Sequence, residues 1–165
     1  QTLEHITKLN KSLLLLSKID NGQFTETVAL ELNELLKQYM DDYKEVYAYR
    51  DIQTEIVEDG IFCVQMNESL ATILITNLLK NAFVHNIDGG HIRIEITPHS
   101  FTFRNSGVGQ PLDEERIFER FYQGAKKEGS TGLGLAIVDS ICRLQNIGLR
   151  YYFENGEHCF EISEK

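Results

Sequence analysis

The apolar positions open in a helical rhythm. Ile6, Leu9, Leu13 and Leu16 recur at 3-4-3 spacing, an a/d seam within a predicted helix over residues 1–20. Two readings stay open for that seam: it pairs with another helix, or it packs on its own domain. Asp20-Asn21-Gly22 gives a stop. The pattern then predicts a short strand over 24–27, a long amphipathic helix over 29–49, and strands over 53–57 and 61–65. Asn67 is the predicted N-cap of the next helix. Asp88-Gly89-Gly90 reads as a turn. Residues 91–97 and 101–104 alternate as strands do. Residues 106–131 are polar, glycine-containing and weakly periodic, which predicts a mobile loop holding one or two helical turns. A helix over 133–145 follows, then strands over 149–153 and 159–162 on either side of an Asn155-Gly156 turn. This order predicts an α+β two-layer sandwich, a mixed sheet with helices on one face.

The helix after Asn67 departs from simple amphipathicity. Leu70, Ile73 and Leu74 form one stripe, and Ala71, Ile75, Leu79 and Ala82 form another on the opposite side. At about 100° per residue, Asn77 and Asn81 lie within ~40° of each other, where the first stripe should continue. Two carboxamides therefore project from a helix buried on both flanks. An amide oxygen is a hard neutral ligand suited to magnesium, and the amide nitrogen donates to phosphate oxygens. Taken alone, such a pair reads as satisfied core amides.

Four islands change that weighting. They are NLLKNAFVHN at Asn77–Asn86, NSGVG at Asn105–Gly109, FERFY at Phe118–Tyr122 and GSTGLGLAI at Gly129–Ile137. NSGVG alone reads as a surface turn, and GSTGLGLAI alone as a glycine-rich helix entry. The second is neither a P-loop nor a dinucleotide fingerprint. Backbone N–H groups at a helix start favour anions, so it suits a triphosphate. In this order and spacing the islands resemble the asparagine, first glycine, phenylalanine and second glycine boxes of sensor histidine kinases. That family shares its fold with gyrase, Hsp90 and MutL.

The resemblance implies a Bergerat-type sandwich that binds ATP with magnesium. It implies that Asn81 holds the metal and that Asn77 assists at the phosphates. Lys80, about 60° to the other side of Asn77, is the nearest substitute for a phosphate-facing lysine whose usual place is taken by Val84. Lys126 and Lys127 are alternatives. His85 fits the pattern. Asn105 stands where most of the family has Asp, and its amide oxygen can still accept from the adenine amine. Gly107, Gly109, Phe118, Arg120, Phe121, Gly129, Thr131, Gly132, Leu133, Gly134 and Leu135 complete the implied ATP site. Phe118 and Phe121 are expected to pack under the loop, with Arg120 a phosphate or partner contact.

The resemblance also implies a γ-phosphoryl transfer to histidine on a dimerisation domain, then relay to a response regulator. None of His5, His85, His91, His99 and His158 has the acceptor's context, an acidic residue next and a proline soon after. Residues 1–21 resemble the end of the second dimerisation helix, and 22–165 the catalytic domain. The chain begins at Gln1, inside a helical pattern, and is expected to be a piece of a longer homodimeric protein. Its place is expected to be cytoplasmic, with membrane anchoring only through regions outside it. Two other readings remain: another protein kinase of the same superfamily, or a non-catalytic nucleotide-binding scaffold.

Formal net charge is -9, which argues against direct nucleic-acid binding. No apolar run approaches the ~20 residues that span a bilayer, and no signal peptide is read. Cys63, Cys142 and Cys159 are far apart, with no C-x-x-C, and are expected to be buried and reduced.

Overall fold

A computed structural model describes residues 2–122 and 131–165. Helix α1 spans Leu3–Asp20, with the Thr2 hydroxyl accepting from the His5 N–H at its start. Strand β1 (Val28–Glu31) leads into α2 (Leu32–Val46) and a 3-10 turn at Ala48–Arg50. Strands β2 (Gln53–Glu58) and β3 (Cys63–Met66) precede α3 (Glu68–Val84). Strands β4 (His91–Ile96) and β5 (Ser100–Asn105), helix α4 (Gly134–Leu144), and strands β6 (Ile147–Glu154) and β7 (Glu157–Glu164) complete the order.

The main sheet runs β2-β4-β5-β7-β6, with β2 parallel to β4 and every other pair antiparallel. The expected mixed sheet is therefore present. One row across it, Ile94, Phe103, Phe160 and Tyr151, is buried. Helices α3 and α4 pack on that face, α2 packs on α3, and α1 packs on α4. The other face is polar. There the Arg104 guanidinium donates to Glu95 at 2.6 Å and to Glu154 at 2.9 Å.

Several boundaries differ from expectation. The strand expected over 24–27 lies at Val28–Glu31, paired with β3 in a separate two-stranded sheet. Its partner, not its composition, sets its place. Asn33 explains where α2 begins. Its Nδ2 donates to Glu58 and to the Gly60 carbonyl, and its Oδ1 accepts from the Phe62 N–H at 2.9 Å. That tie to the β2–β3 turn starts the helix at Leu32 instead of Ala29. The β6–β7 hairpin is longer than predicted. Its turn is the predicted Asn155-Gly156, both at positive φ.

The α1 seam packs on the core through Leu9, Leu13 and Leu16, and its first member, Ile6, is exposed. Leu16 and Ile19 are buried, whereas Leu3, Ile6 and Leu14 are exposed. Cys142 and Cys159 are buried as expected, but Cys63 is exposed on the short β3 strand, correcting the reading of three buried thiols. Burial pushes the Cys142 thiol up to about 12 and the Cys159 thiol to about 11. No helix among the described residues is long and apolar enough to cross a membrane.

Candidate functional site

Helix α3 is placed by its predicted cap. The Asn67 side chain accepts from the Leu70 N–H at 3.1 Å, and its own N–H donates to Gln145 Oε1 at 2.6 Å. Leu70, Leu74, Leu78 and Phe83 are buried, so both flanks are held. Asn77 and Asn81 are half-buried one turn apart. The Asn77 Nδ2 donates to the Ile73 carbonyl at 2.8 Å, which fixes the plane of its amide. Its Oδ1 faces Gly134, the first residue of α4. His85 closes α3, its N–H bonded to the Asn81 carbonyl at 3.1 Å. The His85 carbonyl lies 2.9 Å from where a Cβ on Gly107 would stand. So the asparagine box meets the second glycine box at its start and the first glycine box near its end.

Asn105 ends β5, opposite Ile92 on β4 and His158 on β7, and is only 2% exposed. Its Nδ2 donates to the Ser106 carbonyl at 2.7 Å. Its Oδ1 is buried and has no hydrogen-bond partner among the described residues. A buried acceptor left unpaired costs about 1–3 kcal/mol, so it stands ready for a donor. Gly107 is required for close approach, since a side chain there meets His85 and His158. Among the described residues nothing packs around Gly109 that demands glycine.

Phe118 packs edge-on against Phe160, centroids 6.2 Å apart. Phe121 does not pack under the loop as expected. It is 56% exposed at φ 66°, and its N–H donates to the Gly132 carbonyl at 2.8 Å. Tyr122 packs instead, with the Arg116 guanidinium 4.8 Å over its ring. The phenylalanine box is thereby hydrogen-bonded to the second glycine box. Among the described residues Arg120 is tied elsewhere. It donates to the Asp20 carboxylate at the end of α1, at 2.9 Å.

The Thr131 hydroxyl accepts from the Leu133 N–H at 3.3 Å, and Gly132 holds φ 73°, which favours glycine. Leu133 is fully buried, and Leu135 is packed against the core. Together they aim the α4 start toward Asn77. Lys80 remains solvent-accessible. Its ammonium is pulled below the usual lysine range by partial loss of solvent and, secondarily, by Lys8 on α1. Gly129, Lys126 and Lys127 lie outside the described residues.

Sequence reasoning missed Asn86 and Ser106. The Ser106 hydroxyl donates to Asn86 Oδ1 at 2.6 Å and accepts from the His91 N–H at 2.8 Å. The Asn86 Nδ2 donates to the Ala82 and His91 carbonyls. This buried joint ties the end of α3 to the first glycine box. Its available signal was the third asparagine of the first island, which closes it.

Residues 66–162 match the family model described as histidine kinase-, DNA gyrase B- and HSP90-like ATPase. The chain belongs to that ATPase family. Among its relatives, the heme sensor protein HssS of Staphylococcus saprophyticus is 32% identical over 153 residues, 86% of this chain and 32% of the relative. The sensor histidine kinase RppB of Synechocystis is 32% identical over 148 residues, 82% of this chain and 32% of that protein. The chain thus spans about a third of the length of these curated relatives. Its fold is that of the Acinetobacter baumannii histidine kinase AdeS, with a TM-score of 0.75 at 18% identity over 99% of this chain and 79% of that one. As a histidine kinase-like ATPase domain, it carries an ATP-binding fold homologous to sensor kinases.

Proposed function

We propose that residues 22–165 are the catalytic domain of a sensor histidine kinase, and residues 1–21 the end of its second dimerisation helix. The observation that carries this is the convergence of Asn77 on Gly134 and of His85 on Gly107. Two glycine boxes separated by 27 positions, Gly107 to Gly134, are thereby brought to one helix.

In this reading the adenine amine donates to the unpaired Asn105 oxygen. The triphosphate lies between the α4 start, at Gly132-Leu133-Gly134, and the carboxamides of Asn77 and Asn81. Among the described residues no group of three or more His, Cys, Asp and Glu side chains stands ready to cage a metal. A magnesium ion held by one amide oxygen, phosphate oxygens and water fits such a donor set, and Asn81 would supply that oxygen. Magnesium, when bound, neutralises triphosphate charge. Asn77 and the α4 amides orient the γ-phosphoryl for in-line attack by an acceptor imidazole nitrogen, with ADP as leaving group. The whole protein would act as a homodimer on the cytoplasmic side of a membrane, relaying the phosphoryl group to an aspartate of a response regulator.

The test is phosphoryl transfer from γ-labelled ATP to a separately supplied dimerisation domain. Acid-labile label is expected on its histidine, and none on this chain alone. Label on His5 would overturn the reading of residues 1–21. Binding of ATP without transfer would favour the non-catalytic scaffold.

A further inference from the structure

Arg50 belongs to none of the four islands, yet it is tied to the helix that carries the first. Its side chain is only 13% exposed. Nη1 donates to the Phe83 carbonyl at 2.5 Å and to the Val84 carbonyl at 3.1 Å. Nη2 donates to the Asn86 carbonyl at 2.7 Å, and Nε to the Asp88 carboxylate at 2.9 Å. Its own carbonyl accepts from the Gly89 N–H at 2.8 Å.

The last carbonyls of a helix have no donor within the helix and carry its negative end. The last turn of α3 contains no basic residue to meet them. Arg50 supplies that cation from 33 positions upstream. The element bearing Arg50 is itself registered on α3: Tyr47 stacks on Phe83, ring centroids 5.3 Å apart. Asp51 then turns the chain at φ 54°, and Gln53 joins β4 through the Gly90 carbonyl at 2.9 Å. Asn81 and His85 therefore lie in the one helical turn whose end is set by this guanidinium.

We propose that Arg50 is a positioning residue for the metal side of the nucleotide site. It holds the carboxyl-terminal turn of α3 so that Asn81 and His85 keep their places beside the first glycine box. Adenine recognition at Asn105, on β5, meets Arg50 only at one remove, through the Asn86–Ser106 joint. This rests on the reading of Asn81 as the magnesium ligand. Partners that orient a metal ligand typically change metal affinity by about tenfold or more when removed.

Three chains decide it: the wild type, Arg50→Met and Arg50→Lys. Nucleotide binding is measured by calorimetry as Mg-ATP and as metal-free ADP, alongside amide exchange across the fold. Arg50→Met should weaken Mg-ATP about tenfold, weaken metal-free ADP by clearly less, and speed exchange at the His85, Asn86 and Gly90 amides but not in β6 or β7. Arg50→Lys keeps a cation but not the fork, and should fall between. Equal losses with and without metal, or no loss of Mg-ATP binding, would overturn the proposal. If Arg50→Met does not fold, Arg50→Gln is read against the same outcomes. If the folded wild type shows no magnesium dependence, the site reading fails instead, and the exchange result still judges the clamp at His85–Gly90.

Discussion

A Cβ built on Gly134 would stand 3.3 Å from Asn77 Oδ1. That spacing is tight enough that the carboxamide must give by a few tenths of an ångström. Gly134 is also the first residue of α4, where alanine is the better helix former by up to ~1 kcal/mol.

The two effects have opposite signs, so Gly134→Ala separates stability from binding. Its melting temperature should equal or exceed that of the wild type. Its ATP affinity should fall by about threefold to tenfold, since small misplacements at a site are costly. Thermal unfolding and calorimetry on one preparation check both. Undiminished affinity would show that Asn77 does not face the nucleotide.

Asn81→Ala removes the proposed metal oxygen from a half-buried position. The fold should survive with a stability change under ~1 kcal/mol. Magnesium should then no longer strengthen ATP binding. A magnesium titration identical to wild type would remove Asn81 from the metal site.

The islands and the helix periodicity were legible because each rests on local spacing. Asn67 as a cap, the Asn155-Gly156 turn and the two-sided burial of α3 follow from such rules. What was not legible depends on partners distant in the chain. β1 is placed by β3, and the α2 start by Asn33 reaching the Gly60 carbonyl and the Phe62 N–H. Arg120 ends on Asp20, which no short-range pattern encodes. That pair is about half exposed on both sides, so it contributes little to stability. The Asn86–Ser106 joint is likewise a contact between separate islands, visible only once the sheet brings β5 beside β4.

The resemblance expects aspartate where Asn105 stands, and the surroundings of Asn105 refine what Asn105→Asp would do. The Nδ2 donates to the Ser106 carbonyl, so the amide nitrogen is structural, while the oxygen has no partner among the described residues. Asn105→Asp loses that donor and sets a carboxylate against a carbonyl, so it should lower stability by roughly 1–3 kcal/mol. Asn105→Leu removes an unpaired buried acceptor along with the donor, and should cost the unliganded fold less than Asp does. Its ATP affinity should nevertheless drop about one to two decades, because the adenine amine loses its acceptor. GTP should compete poorly, since guanine carries a carbonyl where adenine has its amine. Urea unfolding and ATP titration of both variants check this. Unchanged ATP affinity in Asn105→Leu would exclude Asn105 from the adenine site.

Directly across the sheet from Asn105 stands His158, buried between Tyr151 and the first glycine box. The Leu112 N–H donates to the Tyr151 oxygen at 2.9 Å. The Tyr151 hydroxyl and His158 Nδ1 are 2.7 Å apart, and His158 Nε2 lies 2.7 Å from the Val108 carbonyl. A carbonyl only accepts, so Nε2 carries the proton, Nδ1 accepts, and the tyrosine hydroxyl donates to it. One tautomer satisfies the whole chain, which pins residues 108 and 112 on either side of Gly109. Tyr151→Phe keeps the ring but leaves the Leu112 N–H and His158 Nδ1 without partners. It should destabilise the fold by roughly 1–3 kcal/mol and raise amide exchange at Leu112 well above that of β5. ATP affinity should fall with it, because Val108 adjoins Gly107 in the first glycine box. If exchange at Leu112 rose no more than exchange at Phe103 in the sheet centre, the hydroxyl would be contributing to general stability and not to holding this loop.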